Sequence, residues 1–247
     1  MSNSSNEVNI QSGPQVGAVN DARAQVDALV EKGKVRLVDQ VDGMVMFCYD
    51  ECSNAEDPMV QQTRGVVFRD DQLVMQAFPY TVEMTSDEVR GDNFQLDVAN
   101  CTFFDSQEGF LIRMFWSNNV WYMSTHRKFN AMRSRWASRE TFGEMFIAAL
   151  EAEAARNDSF RAQCQQYSTE ENPRPILEAF QMSLNPSLQY MFLVRNSDAS
   201  RIVCNAPETP TMYHVGTFDS HHQLHVGSLT CGIAHQQPLQ VADKDAL

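Results

Sequence analysis

At 247 residues and 43% hydrophobic content, the chain is long enough for one sizeable core, or one core with a small appendage, and carries no apolar run near the roughly 18–20 residues of a membrane span. Its formal net charge of −13 excludes a whole-surface grip on nucleic acid, because phosphate binding needs positive charge. The six cysteines are scattered with no CxxC pair, and the N-terminus lacks the charged and apolar regions of a signal peptide. Free thiols in a cytoplasmic, reducing compartment are therefore expected. Composition assigns residues 1–18 to a disordered tail, 19–235 to a single domain and 236–247 to a flexible polar end.

Within that domain, residues 21–34 predict an amphipathic helix, since Ala22, Val26, Leu29 and Val30 share one face and Gly33 ends it. Strand-like runs over 35–40 and 43–50 meet at Asp42-Gly43, a hairpin signal. The polar stretch 51–62 reads as a loop. A second hairpin joins 65–70 to 72–78 around Asp71, and a third joins 110–116 to 120–125 around Ser117-Asn118-Asn119. Thr141 and Glu144 fit a capping box at the head of a helix whose Phe142, Met145, Phe146, Ala149 and Leu150 trace one apolar face. Shorter helices follow at 158–167 and 176–182, then strands at 188–195, 200–204 and 210–216. The order predicts an α+β fold of antiparallel β-sheets with helical insertions.

Positive charge is unevenly spread. Between Leu111 and Arg139 stand Arg113, Arg127, Lys128, Arg133, Arg135 and Arg139 with no acidic residue, leaving 13 basic and 32 acidic residues to the rest of the chain. That island is either a polyanion site or a solvated face with its counter-charges elsewhere in the fold. His214, His221, His222 and His225 cluster in sequence, but their spacing matches no metal motif and the default is exposed hairpin histidines. Cys48 and Cys52 lack a second pair at zinc-site spacing. No metal site is expected.

Three stretches together resemble the adenylyltransferase domain of ATP-dependent RNA ligases of the phage and large-DNA-virus type. These are Thr63-Arg64-Gly65-Val66-Val67-Phe68; Glu108 to Arg113 continuing through Trp121 to Lys128 and Trp136; and Tyr190 to Val194 followed by Ser200-Arg201-Ile202-Val203. The resemblance covers about residues 40–218 and implies a nucleotidyltransferase (ATP-grasp-like) fold, ATP and Mg²⁺ as cofactors, and a nucleotide or an RNA end as partner. In that family a lysine, followed after one residue by aspartate and glycine, attacks the α-phosphate of ATP. The matching residues here are Ser106-Gln107-Glu108-Gly109, so acid and glycine persist while the lysine position is Ser106.

None of the four lysines (Lys32, Lys34, Lys128, Lys244) precedes an acid-glycine pair at that spacing. A serine nucleophile needs a nearby base, and the sequence identifies none. The acidic residue implied on the third stretch is replaced by apolar side chains, and the family's later motifs are not found. The resemblance implies nucleotide contacts from Arg64, Glu108, Gly109, Arg113, Arg127 and Lys128, with Trp121 or Tyr122 stacking on a base or serving as sheet core, and no catalytic lysine. Three readings follow: a binder of nucleotide or RNA ends without covalent chemistry, an active ligase with an unconventional nucleophile, or an interaction module that keeps only the fold.

Overall fold

The computed structural model describes residues 19–76, 78, 80–91, 97–136, 138–196 and 205–242. The strand expected at 200–204, the tail 1–18 and the last residues 243–247 lie outside the described residues.

Two antiparallel sheets carry the fold. The first runs in simple order through β1 (Val35–Val41), β2 (Met44–Tyr49), β3 (Arg64–Arg69) and β4 (Gln72–Met75). The second has the order β6-β5-β7-β8-β9, from β5 (Phe110–Ser117), β6 (Val120–Ser124), β7 (Gln189–Arg195), β8 (Thr211–Phe218) and β9 (Leu224–His225). All three expected hairpins form. Their turns hold Asp42 at φ 50° and Gly43 at 76°, Asp70 at 47°, and Asn118 and Asn119 at 51° and 59°. These are residue types that tolerate the left-handed region a tight hairpin needs.

The period-2 alternation of strand side chains sorts these residues into layers. On β2, Phe47 packs with Ala22, Val26 and Leu29 of α1 (Val19–Glu31), while Met44 and Met46 point the other way. Those methionines join Phe115, Tyr122 and Met191 from the second sheet in a core between the sheets. On β5, Ile112 and Met114 face away from that core. They meet Phe146, Leu150, Phe160 and Phe180 of α4 (Phe142–Arg156), α5 (Asp158–Gln165) and α6 (Ile176–Ser183). The architecture is thus a helix, two stacked sheets and a helical layer, an α+β fold with two antiparallel sheets. Among the described residues no helix is long and apolar enough to cross a membrane.

Polar stitches join the sheets across the apolar core. Tyr122 Oη donates to Asp42 Oδ2 at 2.7 Å, and Gln189 Nε2 donates to the Val74 carbonyl at 2.7 Å. The capping box at Thr141 and Glu144 forms as expected.

Four features were not expected from the sequence. Within the stretch read as a loop lies α2 (Pro58–Gln62), capped by Asp57 and burying Val60. Another short helix, α3 (Ser86–Arg90), carries its own Thr85–Glu88 capping box. Part of the polar end is paired, Leu239 donating its amide to the Phe103 carbonyl at 2.8 Å. Finally, His214 is fully buried rather than an exposed hairpin residue, because it shares the inward face of β8 with Met212.

Candidate anion-binding site

The start of β3, the end of β2 and the turn after β6 meet at one end of the two-sheet stack. Gly65 sits where the β2–β3 register slips between Phe47 and Cys48, with φ at 79°. A Cβ there would lie 2.5 Å from the His126 carbonyl oxygen, so only glycine lets β3 approach the following turn this closely. Thr125 folds that turn: its amide donates to the Lys128 carbonyl at 2.8 Å, and its hydroxyl accepts from the amides of Arg127 and Lys128 at 3.2 and 3.0 Å.

Arg113 ties the two pieces together. Its side chain is 1% exposed, on the face of β5 that it shares with Phe115. One guanidinium nitrogen donates to the Gly65 carbonyl; the other donates to the Thr125 carbonyl at 2.7 Å and lies 3.6 Å from the Met46 sulfur. Burial pushes its pKa down to about 9, with the nearby Cys48 thiol opposing that shift and Arg64 adding to it. A buried cation held by neutral carbonyls is costly; its two terminal nitrogens are committed to main-chain carbonyls, while Nε is buried without a hydrogen-bond partner among the described residues.

Around it the basic residues divide. Arg127 donates to the main-chain carbonyls of Tyr49 and Asp50 at 3.2 and 3.3 Å and lies 3.6 Å from the Asp50 carboxylate, which Arg36 also binds at 2.6 Å. Lys128 turns toward β1, where it reaches Asp39 at 3.9 Å and the Val38 carbonyl at 3.5 Å. Arg64 is half-buried and has no carboxylate partner among the described residues. His126 stands beside Arg64, Arg113 and Arg127, and burial together with those three positive charges holds its pKa down at about 4. It is therefore neutral at pH 7, an acceptor or donor by tautomer.

The structure thus brings Arg64, Arg113 and Arg127 together and adds His126, which motif reasoning missed although it adjoins Arg127 in sequence. Lys128 is directed elsewhere. Gly109 lies where a Cβ would come 2.3 Å from the Val194 carbonyl, so its role in packing β5 on β7 is explained. Glu108 is half-buried just before β5, while Ser106 is exposed and makes no hydrogen bond to a histidine or carboxylate among the described residues. Tyr122 is buried between the sheets and Trp121 packs on Tyr190, so both serve the core. On β7 the side chain facing the inter-sheet core is Met191, fully buried. No group of three or more His, Cys, Asp or Glu side chains suited to a metal gathers among the described residues.

With this geometry in place, comparison with known proteins adds a sequence relationship. No family model matches the chain. It is 30% identical over 174 residues to the immediate-early protein ICP-46 homolog of Invertebrate iridescent virus 6, covering 68% of this chain and 35% of that protein. It is 25% identical over 215 residues to the immediate-early protein ICP-46 of Frog virus 3 (isolate Goorha), covering 85% of this chain and 50% of that protein. The chain is similar to viral immediate-early proteins. It spans half or less of the length of these relatives. Among solved structures, a putative ATP-dependent DNA ligase from Aquifex aeolicus aligns with TM-score 0.44 and 12% identity, over 87% of this chain and 50% of that one. An archaeal ATP-dependent RNA ligase aligns with TM-score 0.44 and 11% identity, over 90% and 51%.

Proposed function

We propose that this domain binds the phosphates of a nucleotide or of an RNA 5′ end at the Arg64–His126–Arg127 cluster, without forming a covalent nucleotidyl intermediate. The observation that carries the reading is the charge balance at this end of the sheets. Arg36 and Arg127 share Asp50, while Arg113 and Arg64 have no carboxylate partner among the described residues. The excess positive charge favours an anion, and Arg64 is the member with donors to spare. In this reading Arg113 is a positioning residue that holds Gly65 and Thr125, and through them Arg64 and His126. Glu108 and Gly109 frame the neighbouring strand start, and Lys128, paired with Asp39, stands outside the cluster.

In this reading no covalent intermediate forms because Ser106 stands where the family's lysine would be. Its hydroxyl is exposed and has no base within hydrogen-bonding reach among the described residues, and no lysine takes its place. The carboxylates fit a magnesium ion poorly, because Asp50 is already held by two arginines.

The test is incubation with ATP or GTP labelled at the α-phosphate in the presence of magnesium, followed by denaturation. No retained label is expected. A label surviving denaturation would replace this reading with an active nucleotidyltransferase using an unconventional nucleophile. Thermal unfolding with ATP or inorganic tripolyphosphate should then show stabilisation that R64Q removes. Absence of stabilisation by either ligand would leave a module that keeps only the fold.

A further inference from the structure

The structure splits the basic segment 111–139 into parts with different partners. Arg113 is buried on carbonyls, and Arg127 and Lys128 are paired with Asp50 and Asp39. Arg133, Arg135 and Arg139 remain. All three are exposed, and none makes an ion pair among the described residues. Arg135 donates to the Arg139 carbonyl at 3.4 Å, and it sits near enough to Glu144 to help lower the pKa of that capping carboxylate.

In the middle of these arginines stands Trp136, 81% exposed. The other two tryptophans, Trp116 and Trp121, pack edge-on against each other at 5.5 Å between ring centroids. A solvated indole of this size costs hydrophobic free energy that any partner covering its face would recover. The loop bearing it is anchored at both ends. Phe142 donates its amide to the Ser134 carbonyl at 2.8 Å, and Asn130 caps the turn at Ala131–Arg133. Gly143 packs so closely on Met132 that a Cβ would meet its sulfur at 2.2 Å. The platform is held at its base while the indole and guanidinium groups project outward. Glu140, exposed and hydrogen-bonded by Asn196 at 3.2 Å, is the acidic group on the same loop.

We propose that this loop docks a single-stranded nucleic acid, with an unpaired base stacking on Trp136 and the adjacent phosphates meeting Arg133, Arg135 and Arg139. The charge selects a polyanion, and an aromatic face between cations selects one with exposed bases rather than a duplex, whose bases are already stacked. The inference rests on the phosphate-binding reading for its ligand class, and deepens it from a free nucleotide to a strand. Trp136 lies eight positions after Lys128 in the same connection that carries His126, and in this reading it is a second foothold for a strand bound at Arg64 and His126.

The test uses the full chain with oligo(U) of about twelve nucleotides, within the span of ordinary single-strand sites. Titration should quench tryptophan fluorescence, and fluorescein-labelled oligo(U) should bind W136A at least about fivefold more weakly than wild type, the lower end of base-stacking contributions. Binding should weaken as salt rises, and R133Q/R139Q should reduce that salt dependence. Tripolyphosphate stabilisation should persist in W136A and be lost in R64Q, so failure of one site is distinguishable from failure of the other. Because Trp136 is exposed, W136A should keep the wild-type melting temperature. Equal oligo(U) affinity of W136A and wild type, or equal affinity of wild type for a duplex of the same length, overturns the inference.

Discussion

Arg113 and Gly65 meet across the gap between the two sheets, the guanidinium of one donating to the carbonyl of the other. This contact sets the separation of β3 from the turn after β6, and so the geometry of the cluster at Arg64 and His126. It also explains why a charged residue occupies a core strand. Two main-chain carbonyls, Gly65 and Thr125, turn inward there and accept from Arg113.

Replacing Arg113 with alanine leaves both carbonyls short of a donor and opens a cavity beside Met46. A loss of about 3 kcal/mol is expected, from unpaired buried polar groups and lost packing. R113M should lose less, since it fills the space and removes a buried charge. Urea denaturation checks both, and a wild-type midpoint for R113A would show that the clasp contributes nothing.

Two glycines separate conformational strain from close approach. Gly43 has φ of 76° and open space where a Cβ would project, whereas Gly65 has φ of 79° and the His126 main chain in the way. G43A should cost about 1 kcal/mol, the left-handed penalty alone. G65A should cost about 3 kcal/mol or more and weaken tripolyphosphate binding as the turn shifts. Similar melting temperatures for the two variants would contradict the close packing of β3 on that turn.

Acid stability follows from the two histidines held neutral. His126 is kept at about 4 by burial and by Arg64, Arg113 and Arg127. His214 is kept at about 4 by burial and by His235, whose ring centroid lies 4.4 Å away, with the Gly216 main chain opposing. Their unfolded value is 6.5, so between that and about 4 the unfolded chain binds more protons and stability falls as pH falls. Asp219 acts lower. Burial alone would raise its pKa, but His225 and the amides of Gln223 and His221 outweigh that and hold it at about 2. Its stabilisation is therefore present above 3.8 and is lost as pH drops from there toward about 2. Urea midpoints at about pH 7.5 and about pH 5 should differ in wild type and differ less in H126Q. An unchanged pH response in H126Q would remove His126 as a contributor.

Much of the fold was legible because its signals are local. Asp42-Gly43 and Asn118-Asn119 fix their turns within two residues, and Thr141 with Glu144 fixes a helix start within four. Thr85 and Glu88 have the same spacing as Thr141 and Glu144, yet α3 is too short for an apolar period to draw attention to it. Charge pairing was not legible. Lys128 meets Asp39 and Arg127 meets Asp50 through contacts between segments far apart in the chain, and no spacing in the sequence announces them. The burial of Arg113 and His214 had a signal in strand alternation. Arg113 shares a face with Phe115, and His214 with Met212 and Gly216, which places both side chains inward whatever their polarity.

Asp50 offers the most direct probe of the cluster, because it competes with any ligand for its arginines. Its carboxylate lies 2.6 Å from Arg36 and 3.6 Å from Arg127. An incoming phosphate must draw Arg127 away from it or share it, and the acidic charge lowers the local potential felt by every anion. D50N keeps the side-chain shape and a hydrogen-bonding oxygen while removing that charge. Because the pair is exposed and screened, its own stability contribution is small, and D50N should unfold within about 1 kcal/mol of wild type. Tripolyphosphate and ATP should bind about fivefold more tightly, corresponding to roughly one kcal/mol at near-surface dielectric. Isothermal titration at low salt measures this directly, and the gain should shrink as salt rises. An unchanged or weaker affinity in D50N would place the anion away from Arg127 and shift the site toward Arg64 alone.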